Sequence, residues 1–179
     1  MRVAVAALLL AGCVAAQTGL EEPVVVPPDG GPGDPPKMGV VTGTLGGTAV
    51  AWETFDFSIG AFDASAWVEH FDGPFRLHIH GYTPGDPKSP ADRLRVTGTF
   101  AGAPARGALR AVGITIGEGG GFAAQSPTLV VERIEAPEGS GYGRASGRIT
   151  ASFCPTNPAI LAPCRLLNAR FTTRVQFNG

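Results

Sequence analysis

A chain of 179 residues with 44% hydrophobic and only 16% charged residues holds apolar material for one core and little for a strongly charged surface. Its formal net charge of −1 excludes a general nucleic-acid binder, whose affinity comes from neutralising phosphates. The 26 glycines and 16 prolines break helices and punctuate turns, so many short strands are expected in place of long helices.

The first element reads as an export signal. One positive charge, Arg2, precedes an apolar run from Val3 to Ala11. That run is far shorter than the roughly 20 residues that cross a bilayer as a helix, but it suits the apolar region of a signal peptide. It ends in Leu10-Ala11-Gly12-Cys13. These four residues resemble the lipobox of bacterial lipoproteins: a leucine, two small residues and the cysteine that carries the lipid. The resemblance implies that residues 1–12 are removed, that Cys13 is lipidated, and that the protein is anchored in the cell envelope. Val14, which is not Asp, follows the cysteine and implies the outer membrane. One acyl chain binds a membrane only marginally, at about 0.8 kcal/mol per buried CH₂, whereas two or three hold stably. The alternative is ordinary cleavage after Ala16, which would release a soluble periplasmic or secreted protein without Cys13.

Residues 13–37 read as the lipidated cysteine and a tether. The stretch Gln17 to Lys37 contains six prolines and four glycines and has no apolar periodicity beyond Val24-Val25-Val26. Proline-rich chain favours extended polyproline II, so this segment could span roughly 65 Å.

Residues 38–179 alternate like a sheet protein. Phe55, Phe57 and Ile59 fit one strand. Leu77 and Ile79 fit another, as do Leu94, Val96 and Phe100, and then Val112, Ile114 and Ile116. Ile149, Ala151 and Phe153 alternate with Arg148, Thr150 and Ser152. In the last strand Leu167, Ala169, Phe171, Val175 and Phe177 share one face, interrupted only by Thr173. Turn signals separate these runs at Gly46-Gly47, Asp72-Gly73-Pro74, Pro84 to Pro87, Gly117 to Gly121 and Pro137 to Gly143. The pattern predicts an all-β domain: an antiparallel β-sandwich or small β-barrel of about eight to ten strands. A parallel α/β fold is excluded, because its crossovers need helices.

Cys154 and Cys164 flank the loop between the two clearest strands. In an oxidising envelope compartment they are expected to form one disulfide across that hairpin. With Cys13 lipidated or removed, the odd count of three cysteines becomes an even pair.

Two side-chain groups could carry chemistry. The stretch EHFDGPFRLHIHGY holds all three histidines. His78 and His80 share a strand face with Arg76 and Tyr82. If Asp72-Gly73-Pro74 forms a three-residue hairpin tip, Phe71 pairs with Phe75 and His70 with Arg76, which brings His70 to the same face. His70, His78 and His80 could then hold zinc or copper, with Glu69 or Asp72 adding a carboxylate. The four residues HIHG resemble short stretches of copper–zinc superoxide dismutases, but that mechanism needs histidines from several parts of the chain, and none follows His80. The other group is basic. After Glu138 there is no acidic residue, and Arg144, Arg148, Arg170 and Arg174 fall on the polar face of the final hairpin. They could meet an anionic partner such as an envelope polysaccharide, a lipid headgroup or an acidic protein surface.

Hydrolase and phosphate-loop chemistry have no support. No G-x-S-x-G elbow is present, and the glycine run from Gly117 to Gly121 lacks a following Lys-Ser/Thr. The sequence therefore predicts a lipid-anchored envelope protein with a non-catalytic binding or scaffolding β-domain and no cofactor. The alternatives are a metal-binding protein using the histidines, or a barrel enclosing a small apolar ligand.

Overall fold

In the computed structural model the described residues are 34–57, 64–70, 73–87, 92–117, 121–138, 141–157, 159 and 161–178. Ten strands and no helix occur among them. The last three strands are the longest and form an antiparallel meander: β8 (Phe122–Glu135), β9 (Gly141–Pro155) and β10 (Arg165–Asn178). Their alternation explains their shape. Leu167, Ala169, Phe171 and Val175 of β10 are buried, as are Ala145, Ile149, Ala151 and Phe153 of β9. The intervening Arg148, Asn168, Arg170 and Thr172 are exposed. A period of two thus puts one row of each strand inside. Thr173 interrupts the apolar row yet stays buried, because its hydroxyl donates to the Arg174 carbonyl oxygen at 2.8 Å and lies 2.7 Å from the Thr54 hydroxyl.

The β9–β10 register pairs Arg165 with Phe153, so the next position outward sets Cys164 against Cys154. The two are joined in a disulfide. The hairpin is thereby clamped at the level where its ladder ends.

β10 is also where the sheet forks. One edge pairs with β9 along nearly its whole length. The other edge is shared: β1 (Lys37–Leu45) runs antiparallel to Leu167–Thr173, and β3 (Ala66–Glu69) runs parallel to Gln176–Asn178. The β3–β10 pair departs from the all-antiparallel expectation. A parallel neighbour needs a long connection, and here nearly a hundred residues separate the two strands. From β3 the wall continues through β4 (Arg76–Gly81), β5 (Leu94–Thr99) and β7 (Arg110–Ile116). The short β6 (Gly107–Ala108), just before β7, pairs with Val130 and Val131 of β8, and the Leu109 N–H donates to the Leu129 carbonyl at 2.8 Å. These bonds bring the far edge back to the start, so the sheet is a nearly closed barrel.

The remaining strand, β2 (Thr48–Phe55), lies on β1. Its free edge reaches the chain just beyond β4, where Glu53 and Tyr82 exchange backbone hydrogen bonds of 2.8 Å. The strand expected over Phe55 to Ile59 is therefore displaced. Phe55 ends β2, its inward residues are Trp52 and Thr54, and Ile59 lies outside the described residues.

The interior is packed. Leu77, Ile79, Leu94, Val96, Ile149, Leu167 and Val175 each have 0% of their surface accessible to water, so no water-sized void adjoins them. A barrel holding a small apolar ligand would line a cavity with such side chains. Here they touch one another. Gly147 marks how tightly: a Cβ there would sit 2.0 Å from the Val130 carbonyl oxygen and 2.8 Å from the Phe171 ring.

Candidate functional site

Two outward faces of the barrel carry the side chains singled out in the sequence. The first lies on β3, β4 and β5. Trp67 is paired with His78 across β3–β4, and their rings stack with centroids 4.5 Å apart and planes within 1°. His80 meets the same indole edge-on at 4.9 Å. His78 Nε2 lies 3.1 Å from Glu69 Oε1 but out of line for a hydrogen bond, and it has no other polar partner. Arg76 approaches the same carboxylate oxygen at 3.8 Å, and Trp67 Nε1 donates to Glu69 Oε2 at 3.4 Å. The pKa of His80 is lowered to about 4, first by burial and then by the positive charges of Arg95, His78 and Arg93. It is neutral at physiological pH.

The expected three-histidine set does not assemble. Glu69 is paired with Arg76, one residue away from the register anticipated for this hairpin. His70 consequently stands beside Phe75, with ring centroids 3.9 Å apart. A one-residue slip turns a side chain to the opposite face of a sheet, which separates His70 from His78 and His80. Trp67 fills the ground between the other two, and Arg76 and Arg95 would oppose a cation. Among the described residues no three His, Cys, Asp or Glu side chains are placed to share a metal ion. Asp72 lies outside the described residues, as do Leu10, Ala11, Gly12 and Cys13.

The second face lies on β8, β9 and β10 and holds all four predicted arginines. The register sets Arg144 directly against Arg174, and Arg148 directly against Arg170. The face therefore carries two like-charged cross-strand pairs, an arrangement that ordinarily costs a few tenths of a kcal/mol to about 1 kcal/mol each. The inner pair is compensated. Glu132 of β8 forms an ion pair with Arg148, its Oε1 2.7 Å from Nε, and lies 3.8 Å from Arg170 Nη1. The outer pair is not. Glu135 is engaged by Arg133 at 2.8 Å, and neither Arg144 nor Arg174 makes an ion pair with any described residue.

Arg174 is instead laid over the ring of Tyr142, its guanidinium carbon 4.5 Å from the centroid. Where β8 turns towards β9, Arg144, Arg174 and Tyr142 line an open depression of about 530 Å³ together with Glu135, Ala136 and Pro137. Its size falls within the range of small-molecule sites. Sequence parity placed the arginines correctly but passed over Tyr142. Its spacing of two from Arg144 puts it on the same face and could have flagged it.

The disulfide cysteines form a third feature, at the other end of the hairpin from Arg144 and Arg174. Compared with protein-family models, with characterised proteins and with solved structures, the chain finds no match in any of the three.

Proposed function

We propose that the protein is a cell-envelope lipoprotein, held at the outer membrane through lipid on Cys13, whose β-barrel is a non-catalytic binding module for an anionic partner. The lipobox supports the address, and the Cys154–Cys164 disulfide fits an oxidising compartment. The layout fits as well. The first strand begins at Lys37, where the proline- and glycine-rich spacer ends.

The binding role rests on one observation, the direct opposition of Arg144 to Arg174 and of Arg148 to Arg170 on a solvent-facing sheet. A face serving solubility alone gains from alternating signs. Like charges set side by side are relieved when an anion lies across them. An envelope polysaccharide or an acidic protein surface would supply such charges.

Two measurements test the proposal. Metabolic labelling with an alkyne fatty acid should mark the wild-type chain and not Cys13→Ser; equal labelling of the two would refute the anchor. Retention on a polyuronate matrix should fall steeply with salt and be lost in Arg170→Ser/Arg174→Ser. Retention that ignores both salt and these substitutions would refute the binding face.

A further inference from the structure

The basic face is not uniform, and the difference between its two arginine pairs locates a ligand. Arg148 and Arg170 share Glu132, so their charge is largely answered within the sheet. Arg144 and Arg174 have no such carboxylate. Glu135 is directly opposite Arg144 in register and also lines the depression, but its carboxylate is bound by Arg133. The uncompensated pair borders the 530 Å³ depression.

Resting on the anion-binding role proposed above, the geometry points to this depression as the seat of an acidic sugar unit, its carboxylate held between Arg144 and Arg174 and its ring against Tyr142 and Pro137. Three physical points carry the assignment. Two neighbouring guanidiniums present planar forks of N–H donors that match the two oxygens of a carboxylate. The Tyr142 ring under Arg174 orients that guanidinium in advance, which lowers the entropy lost on binding. The depression is far larger than a single small anion needs, and Ala136, Pro137 and Tyr142 offer the apolar contact that the C–H face of a sugar can use.

A membrane lipid fits less well. Among the described residues the large exposed apolar side chains are Leu161 and Leu166, both at the disulfide end of the hairpin. Among the described residues no large exposed apolar side chain adjoins the arginines.

The test uses the full-length chain purified in mild detergent and titrated calorimetrically with trigalacturonate, its neutral methyl ester, triglutamate and inorganic phosphate. Trigalacturonate should bind, and the methyl ester should bind at least tenfold more weakly. Arg144→Ser and Arg174→Ser should each weaken trigalacturonate at least tenfold, while Arg95→Ser, on the exposed surface of β5 away from this face, stays within about twofold of wild type. Arg174→Lys keeps the charge without the fork and should give an intermediate loss; it also guards against a folding artefact in the serine variants. Equal binding of the ester, or of triglutamate or phosphate, would overturn the assignment to an acidic sugar. Trigalacturonate binding that survives Arg144→Ser/Arg174→Ser would overturn the location. In that case salt-sensitive retention on the polyuronate matrix, dependent on Arg148 and Arg170, would leave the broader binding role standing. Loss of both kinds of binding in the wild-type chain would bring down the two together.

Discussion

Thr54 of β2 and Thr173 of β10 place their hydroxyl oxygens 2.7 Å apart in the interior, joining two strands that are not neighbours in the sheet. Thr173 also donates to the Arg174 carbonyl, so the Thr54 hydroxyl is the donor between them. Removing Thr173 leaves a buried donor without an acceptor. Removing Thr54 leaves Thr173 its own acceptor. Thr173→Val should therefore cost about 2 kcal/mol and Thr54→Val about 1 kcal/mol, while the double variant costs less than their sum. Urea unfolding of the four proteins gives the coupling directly, and strict additivity would show that the pair does not interact.

The disulfide closes a short loop across directly opposed positions of β9 and β10. Restricting a loop of this size in the unfolded chain is worth roughly 3 kcal/mol. Reduction, or Cys154→Ala/Cys164→Ala, should lower the unfolding free energy by about 2–3 kcal/mol. The barrel meander should remain folded, because β8, β9 and β10 are held along long ladders independent of the bridge. Near-ultraviolet circular dichroism before and after reduction checks both points.

The parts of the fold that were legible in sequence are those where a period of two runs unbroken. The alternation gives β9 and β10 with the right faces inward, and the four arginines on the outward face. β8 carries no such continuous pattern although it is among the longest strands. Its register shifts twice, between Gln125 and Thr128 and between Val131 and Arg133, so its buried Leu129 and Val131 fall out of phase with Phe122 and Ala124. Each bulge resets the alternation that a pattern search relies on. β1 was hidden for another reason. Gly39 and Gly43 occupy positions on its apolar row where a Cβ would collide with the β10 backbone at 2.2 Å, so this close strand contact leaves no hydrophobic letter. The histidine face failed through a single residue of turn length. Nothing in FDGPF distinguishes the assumed tip from one that pairs Glu69 with Arg76, yet that choice decides the side on which His70 stands.

A bulge also yields the third prediction. Ala111 of β7 has φ of 46°, at the point where the pairing with β5 shifts between Thr97 and Thr99. This left-handed conformation costs an alanine roughly 1–2 kcal/mol and a glycine almost nothing. Glycine gives back part of that through a more flexible unfolded chain, about 0.4–1 kcal/mol. The alanine methyl is exposed, so little packing is lost. Ala111→Gly should stabilise the protein by about 0.5–1 kcal/mol. Thr115→Gly, at an exposed position paired regularly with Arg95, should destabilise it by about 1 kcal/mol. A fall in thermal midpoint for Ala111→Gly would show that the bulge is not strained.

His80 sets the pH dependence. Its folded pKa of about 4 lies below the ordinary 6.5, because burial and then Arg95, His78 and Arg93 disfavour the imidazolium. Between these two values the unfolded chain binds a proton that the folded chain does not. Stability from this group is therefore complete above pH 6.5, declines as pH falls towards 4, and changes no further below it. Because His80 is only partly buried, solvent screening reduces the effect to about 1–2 kcal/mol. His80→Gln keeps a polar side chain on the same face and should flatten the stability profile over that window. Chemical denaturation at half-unit steps from pH 4 to pH 7 compares the variant with the wild type, and a wild-type slope in His80→Gln would assign the acid sensitivity to other groups.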